Sequence, residues 1–156
     1  MMTRSHKFFV ILSLAVAANS FAADTGPTTT APDTLATARA QIAAKKWPAA
    51  LEELRKVNDT ASADWNNLMG YSLRKSNPPD LVAAEKYYNE ALRISPQHRG
   101  ALEYSGELYL MKGDLGQAEQ RLSVLDKVCR FGCEEYTDLK QAIERYKAAG
   151  NRYVGK

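Results

Sequence analysis

From Thr34 to Val154, apolar side chains recur three and four residues apart in almost every stretch of the chain. No stretch alternates apolar and polar residues over the length of a strand, so the pattern predicts helices and no sheet. One stripe repeats. Ala50, Ala84 and Ala118 stand 34 residues apart, and four residues after each comes a large side chain: Leu54, Tyr88 and Leu122. Three further on comes another apolar one: Val57, Ala91 and Leu125. A step of four and then three brings all three residues to one helix face. Three helices with the same buried stripe are therefore expected, one per period.

A small residue stands before each of these stripes, at Ala38, Gly70 and Gly106. Gly in a helix interior costs about 1 kcal/mol relative to Ala, so two of them imply that two helices cross closely there. The spacings of the small residues, 32 and then 36, differ from 34. The turn Ser76-Asn77-Pro78-Pro79-Asp80 accounts for the shift, being two residues longer than its counterparts, with a shorter link over 58–63 before it. Other boundaries fall at Lys45-Lys46-Trp47-Pro48, at Ser95-Pro96 and at Gly113-Asp114. Ser95 is expected to cap a helix with Pro96 in its first turn. Gly113 is expected to end one helix and Asp114 to cap the next, with Asp114 and Gln117 forming a weak capping box. A last helix is predicted over 134–148, where Tyr136, Leu139, Ile143 and Tyr146 form one stripe. Glu134, Glu135 and Asp138 favour its start through the helix dipole.

A 34-residue period with a small residue and an aromatic four later resembles the tetratricopeptide repeat (TPR). Leu102, Ser105-Gly106 and Tyr109 match the family's W-x2-L-G-x2-Y pattern in a third repeat, and Met69-Gly70 and Leu73 match it in a second. There the tryptophan place holds Asn66, with Trp65 one residue early; in the first repeat only Ala38 matches, at the glycine place. The resemblance implies an all-α fold of three stacked helix hairpins, a short right-handed solenoid, over about 33–61, 62–97 and 98–130. The helix over 134–148 would close the stack, since a solenoid end otherwise exposes apolar surface. Residues 149–156 remain as a tail.

The beginning of the chain changes where this domain is expected to work. Arg4 and Lys7 precede an apolar or small run from Phe8 to Ala18, and Ser20-Phe21-Ala22 offers small residues at the positions a signal peptidase reads. Residues 1–22 are read as a signal peptide cleaved after Ala22. The run is too short for the ~20 residues that cross a bilayer, and no cysteine follows it for a lipid anchor. Residues 23–32 contain no large apolar side chain and read as a disordered leader. The mature protein is expected to be periplasmic or secreted, with no membrane attachment. Of 21 Lys+Arg, loss of Arg4 and Lys7 leaves 19 against 18 Asp+Glu, a net charge of +1. That balance gives no general pull toward nucleic acid.

Few residues point to chemistry. After cleavage His98 is the sole histidine, and nothing around it suggests more than a solvated surface position. Glu52-Glu53 and Glu134-Glu135 are adjacent pairs that diverge on a helix. No phosphate loop, zinc-protease motif, nucleophile elbow or calcium loop is present, so neither an enzyme nor a bound cofactor is expected. Cys129 and Cys133 are the only cysteines and flank Arg130-Phe131-Gly132. In an oxidising compartment a structural disulfide is expected. Two alternatives stay open for a thiol-dependent accessory protein: a Cu(I) thiolate pair, or a redox dithiol, whose usual spacing is one residue shorter.

Grooves of TPR solenoids bind extended peptides or helices of other proteins, and this is what the resemblance implies for function. The groove places map to Leu35, Arg39 and Ile42; to Asp64, Asn67, Tyr71, Arg74 and Lys75; and to Glu103, Glu107, Leu110 and Met111. Within these, Arg39, Asn67, Tyr71, Arg74, Glu103 and Glu107 are the expected partner-binding residues. Arg39, Arg74 and Lys75 would make one end positive, and Glu103 and Glu107 the other negative. Two glutamates in the third repeat depart from the carboxylate clamp of chaperone-binding members. A scaffold or adaptor holding a protein or peptide, itself monomeric, is the expected function.

Overall fold

A computed structural model describes residues 33–155. The expected signal peptide and leader lie outside the described residues. Seven helices follow one another: α1 Ala36–Ala43, α2 Trp47–Val57, α3 Ala63–Lys75, α4 Leu81–Ile94, α5 Arg99–Met111, α6 Leu115–Val128 and α7 Glu134–Ala148. No strand occurs among the described residues, so the protein is all-α there. None of their helices is long and apolar enough to cross a membrane.

The 34-residue period reappears in the caps. Lys46, Asp80 and Asp114 each precede the second helix of a pair. Asp80 Oδ1 accepts the backbone N–H of Ala83 at 2.9 Å, and Asp114 Oδ1 that of Gln117 at 3.0 Å. Each satisfies one of the orphan donors that begin a helix. Lys46 has no acceptor to offer and makes no such bond. The odd helices are capped differently: Ser62 Oγ accepts from Trp65 N–H at 3.2 Å and Cys133 Sγ from Tyr136 N–H at 3.4 Å. At α5 the sequence expectation fails. Ser95 lies at the end of α4, three residues before the cap of α5, and that cap is His98, whose Nδ1 accepts from Ala101 N–H at 3.0 Å.

The first helices of the first and third pairs end by one recipe. After α5, Gly113 N–H donates to the Leu110 carbonyl and Asp114 N–H to that of Tyr109, with Gly113 at φ +80°. This is the Schellman arrangement, which needs a left-handed residue just past the helix. After α1 the same two bonds run from Lys45 to Ile42 and from Lys46 to Gln41, but the left-handed place is held by Lys45 at φ 55°. A side chain in that conformation is strained by about 1 kcal/mol or more.

Packing joins each odd helix to the next even one (α1 with α2, α3 with α4, α5 with α6) and each even helix to the next odd one. Odd helices also touch: α3 with α5, and α5 with α7. Most of the predicted stripe is core, with Val57 and Leu122 only half-buried. Ala50, Ala84 and Ala118 are fully buried, as are Leu54, Tyr88, Ala91 and Leu125. Both interior glycines sit at close crossings. A Cβ on Gly70 would fall 2.8 Å from the Tyr88 ring and 3.1 Å from the Ala84 carbonyl, within its own helix pair. At Gly106 the nearest atoms belong to Leu139 of α7, 2.6 Å away, so this notch receives the last helix. Two apolar clusters result. The smaller gathers Leu35, Ala38, Leu51, Leu54, Trp65, Leu68 and Met69; the larger runs from Ala84 and Tyr88 to Tyr146 of α7; Leu73 touches both.

The first hairpin turn is thus the weakest of the repeated turns, and it can be mended from the third. Lys45→Gly removes a strained left-handed residue and Lys46→Asp supplies a missing cap. Each should add about 1 kcal/mol. A thermal melt of the double variant should rise by several degrees; an unchanged midpoint would show that this turn does not limit stability.

Candidate binding face

The odd helices present two linked clusters. The first lies at the start of α3 and α5. Asp64 accepts from Arg39 Nη2 at 3.1 Å and from His98 Nε2 at 2.9 Å. Because Nδ1 of His98 accepts from Ala101, its proton sits on Nε2 and is donated to Asp64. His98 is therefore a positioned cap bonded across one full period, and not a solvated side chain. Burial pushes the Asp64 carboxyl up, but the His98 hydrogen bond and the Arg39 charge outweigh this and hold it below the ordinary 3.8. Arg39 also pairs with Asp33 at 3.6 Å, and Arg99 with Glu135 of α7 at 3.6 Å.

Arg39, Asp64, His98, Arg99 and Glu135, with Asn67, Gln97 and Gly100, line an open polar cavity of about 350 Å³. Asn67 forms part of its wall and is buried, yet its Oδ1 has no hydrogen-bond partner in the protein. Gly100 is required behind it: a Cβ there would fall 3.1 Å from Asn67 Nδ2.

The second cluster lies one to two turns further along. Arg74 of α3 is only 2% exposed. Its Nη1 lies 2.8 Å from Glu107 Oε2 of α5, and its Nε donates to the Tyr88 hydroxyl of α4 at 3.3 Å. The guanidinium also lies against two rings, 5.5 Å from the centroid of Tyr71 and 5.7 Å from that of Tyr104. Burial works against a charge on Arg74, but the Tyr88 and Glu107 side chains more than compensate and raise it further. Burial pushes the Tyr88 and Tyr104 phenols up. Arg74 also reaches the phenol of Tyr153, beyond α7.

Above this pair runs a row of half-exposed aromatics. Tyr71 and Tyr104 are 4.5 Å apart between centroids, and Trp47 of α2 meets Tyr71 edge-on at 5.9 Å. Lys75 Nζ lies 5.9 Å from the Tyr71 centroid.

Compared with models of protein families, with curated proteins and with solved structures, the chain matches none.

Of the expected binding residues, Arg39 and Asn67 meet in the polar cavity. Tyr71, Arg74 and Glu107 meet in the second cluster. Glu103 is buried on α5, one turn before Glu107. The expected separation of charge does not hold for the central pair, because Arg74 and Glu107 neutralise one another. Leu35 and Leu110 are core residues and not groove residues. Trp47, Tyr104, His98 and Glu135 escaped the sequence reading. A signal existed for one of them: Asp64 and His98 are 34 residues apart, one period. The cysteines are bonded to each other between the ends of α6 and α7, with a Cα–Cα distance of 5.6 Å. Gly132 between them takes φ +82° and Phe131 is fully exposed. Among the described residues no group of three or more His, Cys, Asp or Glu is placed to hold a metal ion.

Two measurements test these clusters. Arg74→Ala or Glu107→Ala leaves a buried charge unpaired and should lower stability by about 3–5 kcal/mol in urea unfolding, whereas Arg74→Met with Glu107→Leu should recover most of the loss. A double variant as unstable as the singles would show that the pair is not what is being lost. Asp64, with its folded value depressed, contributes stability that is complete above about pH 4 and disappears as pH falls through that folded value. Asp64→Asn should therefore be less stable at neutral pH, by under about 1 kcal/mol because the group is half-exposed, with the gap closing toward pH 2. A gap that is constant with pH would refute the role of the ionised carboxylate.

Proposed function

We propose that this chain is a TPR-type protein-binding scaffold of the periplasm or the extracellular space, which holds an extended segment of another protein along the face formed by α3 and α5. The face itself is the main support. Asn67, Tyr71 and Arg74 stand at i, i+4 and i+7 on α3, so they share one side of the helix. The single observation that bears most on the proposal is that Asn67 Oδ1, at one end of this row, is buried without a partner in the protein. Buried polar groups are nearly always paired, and each exception calls for an explanation. A peptide backbone N–H supplies the donor that Asn67 lacks. Along the same face Tyr71, Tyr104 and Trp47 offer aromatic surface of the kind that anchors interfaces.

Support for the TPR assignment comes from the 34-residue spacing of the caps Lys46, Asp80 and Asp114. It also comes from the pairing of helices two by two. In this reading the odd helices line the concave side, α7 closes the last pair through Leu139, and the disulfide fixes the approach of α7. The scaffold acts by geometry alone: rigid helices hold the aromatic row, so a partner segment loses little in ordering the receptor.

Partner capture from periplasmic extract, followed by cross-linking, tests the face. Asn67→Ala and Tyr71→Ala should each reduce capture of a given partner by tenfold or more, on the order expected for a hot-spot residue. Val82→Ala, exposed on α4, serves as the control and should leave capture unchanged. Capture that survives both face variants removes this face as the binding site.

A further inference from the structure

The segment after α7 does not run off into solvent. Gly150 N–H donates to the Lys147 carbonyl and Asn151 N–H to that of Tyr146, with Gly150 at φ 68° and Asn151 at φ 60°. This Schellman turn, lengthened by a second left-handed residue, reverses the chain. Residues 152–155 then proceed without helical structure. Arg152 and Val154 are exposed, but Tyr153 between them is half-buried and packs against the larger apolar cluster.

That cluster contains Tyr88, whose hydroxyl accepts from Arg74, so Tyr153 packs on the apolar side of the second cluster. The Tyr153 phenol is under the electrostatic influence of Glu107, Arg74 and Arg145; burial and Glu107 push its ionisation up and Arg74 opposes them. Arg74 hydrogen-bonds the phenol, and Arg145, whose Nε is buried without another partner, adds a second positive charge near it. A tyrosine side chain of non-helical backbone is thus already seated beside the buried Arg74–Glu107 pair, with its hydroxyl bonded to an arginine.

We propose that residues 151–155 are a tethered ligand, that the natural partner of this face is an extended segment bearing a tyrosine, and that the partner's tyrosine displaces Tyr153. This rests on the binding role proposed for the face and adds the chemistry of its occupant. An aromatic ring suits the apolar wall, and a phenol oxygen, unlike a phenylalanine ring, accepts from arginine. Tethering keeps the chain's own tyrosine at an effective concentration of about millimolar, so the face is closed to weak partners and open to strong ones.

The test uses the chain's own segment in trans, so it needs no identified partner. A fluorescent peptide Asn-Arg-Tyr-Val-Gly-Lys, copying 151–156, is titrated into the mature protein, into the same protein ending at Gly150, and into full-length Tyr153→Ala. Anisotropy should show at least about tenfold tighter binding to the shortened chain and to Tyr153→Ala than to the intact protein, the difference tethering predicts. The same peptide with Phe in place of Tyr should bind several-fold more weakly, as the loss of one hydrogen bond to a charged group requires. Equal binding to all three proteins, binding to none, or indifference to Tyr→Phe overturns the proposal. Should the shortened chain fail to fold, Tyr153→Ala keeps the test intact. Independently, Tyr153 ring protons of the intact protein should show nuclear Overhauser contacts to core methyl groups, and their absence would also overturn it. If the peptide fails while Asn67→Ala and Tyr71→Ala still abolish partner capture, this inference falls and the scaffold stands. If the peptide binds but no partner is ever sensitive to those two variants, the reverse holds.

Discussion

A single ion pair ties the middle of this protein together. Arg74 extends from α3, Glu107 answers from α5, and the Tyr88 hydroxyl reaches in from α4. Three helices of two consecutive pairs therefore meet at one buried charge. A buried pair is a poor source of net stability, because both ions lose their water. What it supplies is position. A guanidinium with two of its nitrogens committed holds α3 and α5 at one separation, and that separation in turn sets the distance between Tyr71 and Tyr104. The aromatic row and the seat of Tyr153 are both consequences of that distance.

The same charge explains why the face is polar beneath and aromatic above. Arg74 is stacked against two rings as well as paired, so its positive charge is spread over partners that do not neutralise it. Glu107 supplies the neutralisation. The face consequently offers a partner aromatic surface and hydrogen-bond groups with little net charge. The polar cavity at the other end of α3 is built on the same plan: Arg39, Asp64 and His98 satisfy one another, and the amide oxygen of Asn67 is left over.

Much of the core could be read from the chain before any coordinates. A stripe of alanine, a large residue and an apolar residue leaves little choice of which side of a helix is buried, and Ala84, Tyr88 and Ala91 are all buried. Asp114 announced its cap because an acceptor beside a glycine has few other uses at a turn. The α7 bounds were legible for the same reason, acidic residues at one end and an apolar stripe throughout. The face was harder. Periodicity separates the sides of one helix but not the neighbours that will cover them. Leu110 looked like a groove residue because nothing local shows that further side chains close over it. His98 was misjudged because an imidazole serves as a cap only when something fixes its tautomer. Here that is Asp64, a residue 34 positions away.

The division of the interior into two apolar clusters has a spectroscopic consequence. The chain has two tryptophans: Trp65 of α3 belongs to the smaller cluster, and Trp47 of α2 meets Tyr71 of α3 edge-on. The same end of the chain contains the strained Lys45 and the uncapped start of α2. Trp65 also meets Tyr87 of α4 edge-on at 5.8 Å, so emission from the indoles follows the melting of the first four helices most closely. Circular dichroism, which counts every helical peptide, weights α4 to α7 most. Two probes often treated as interchangeable here weight different parts of one molecule.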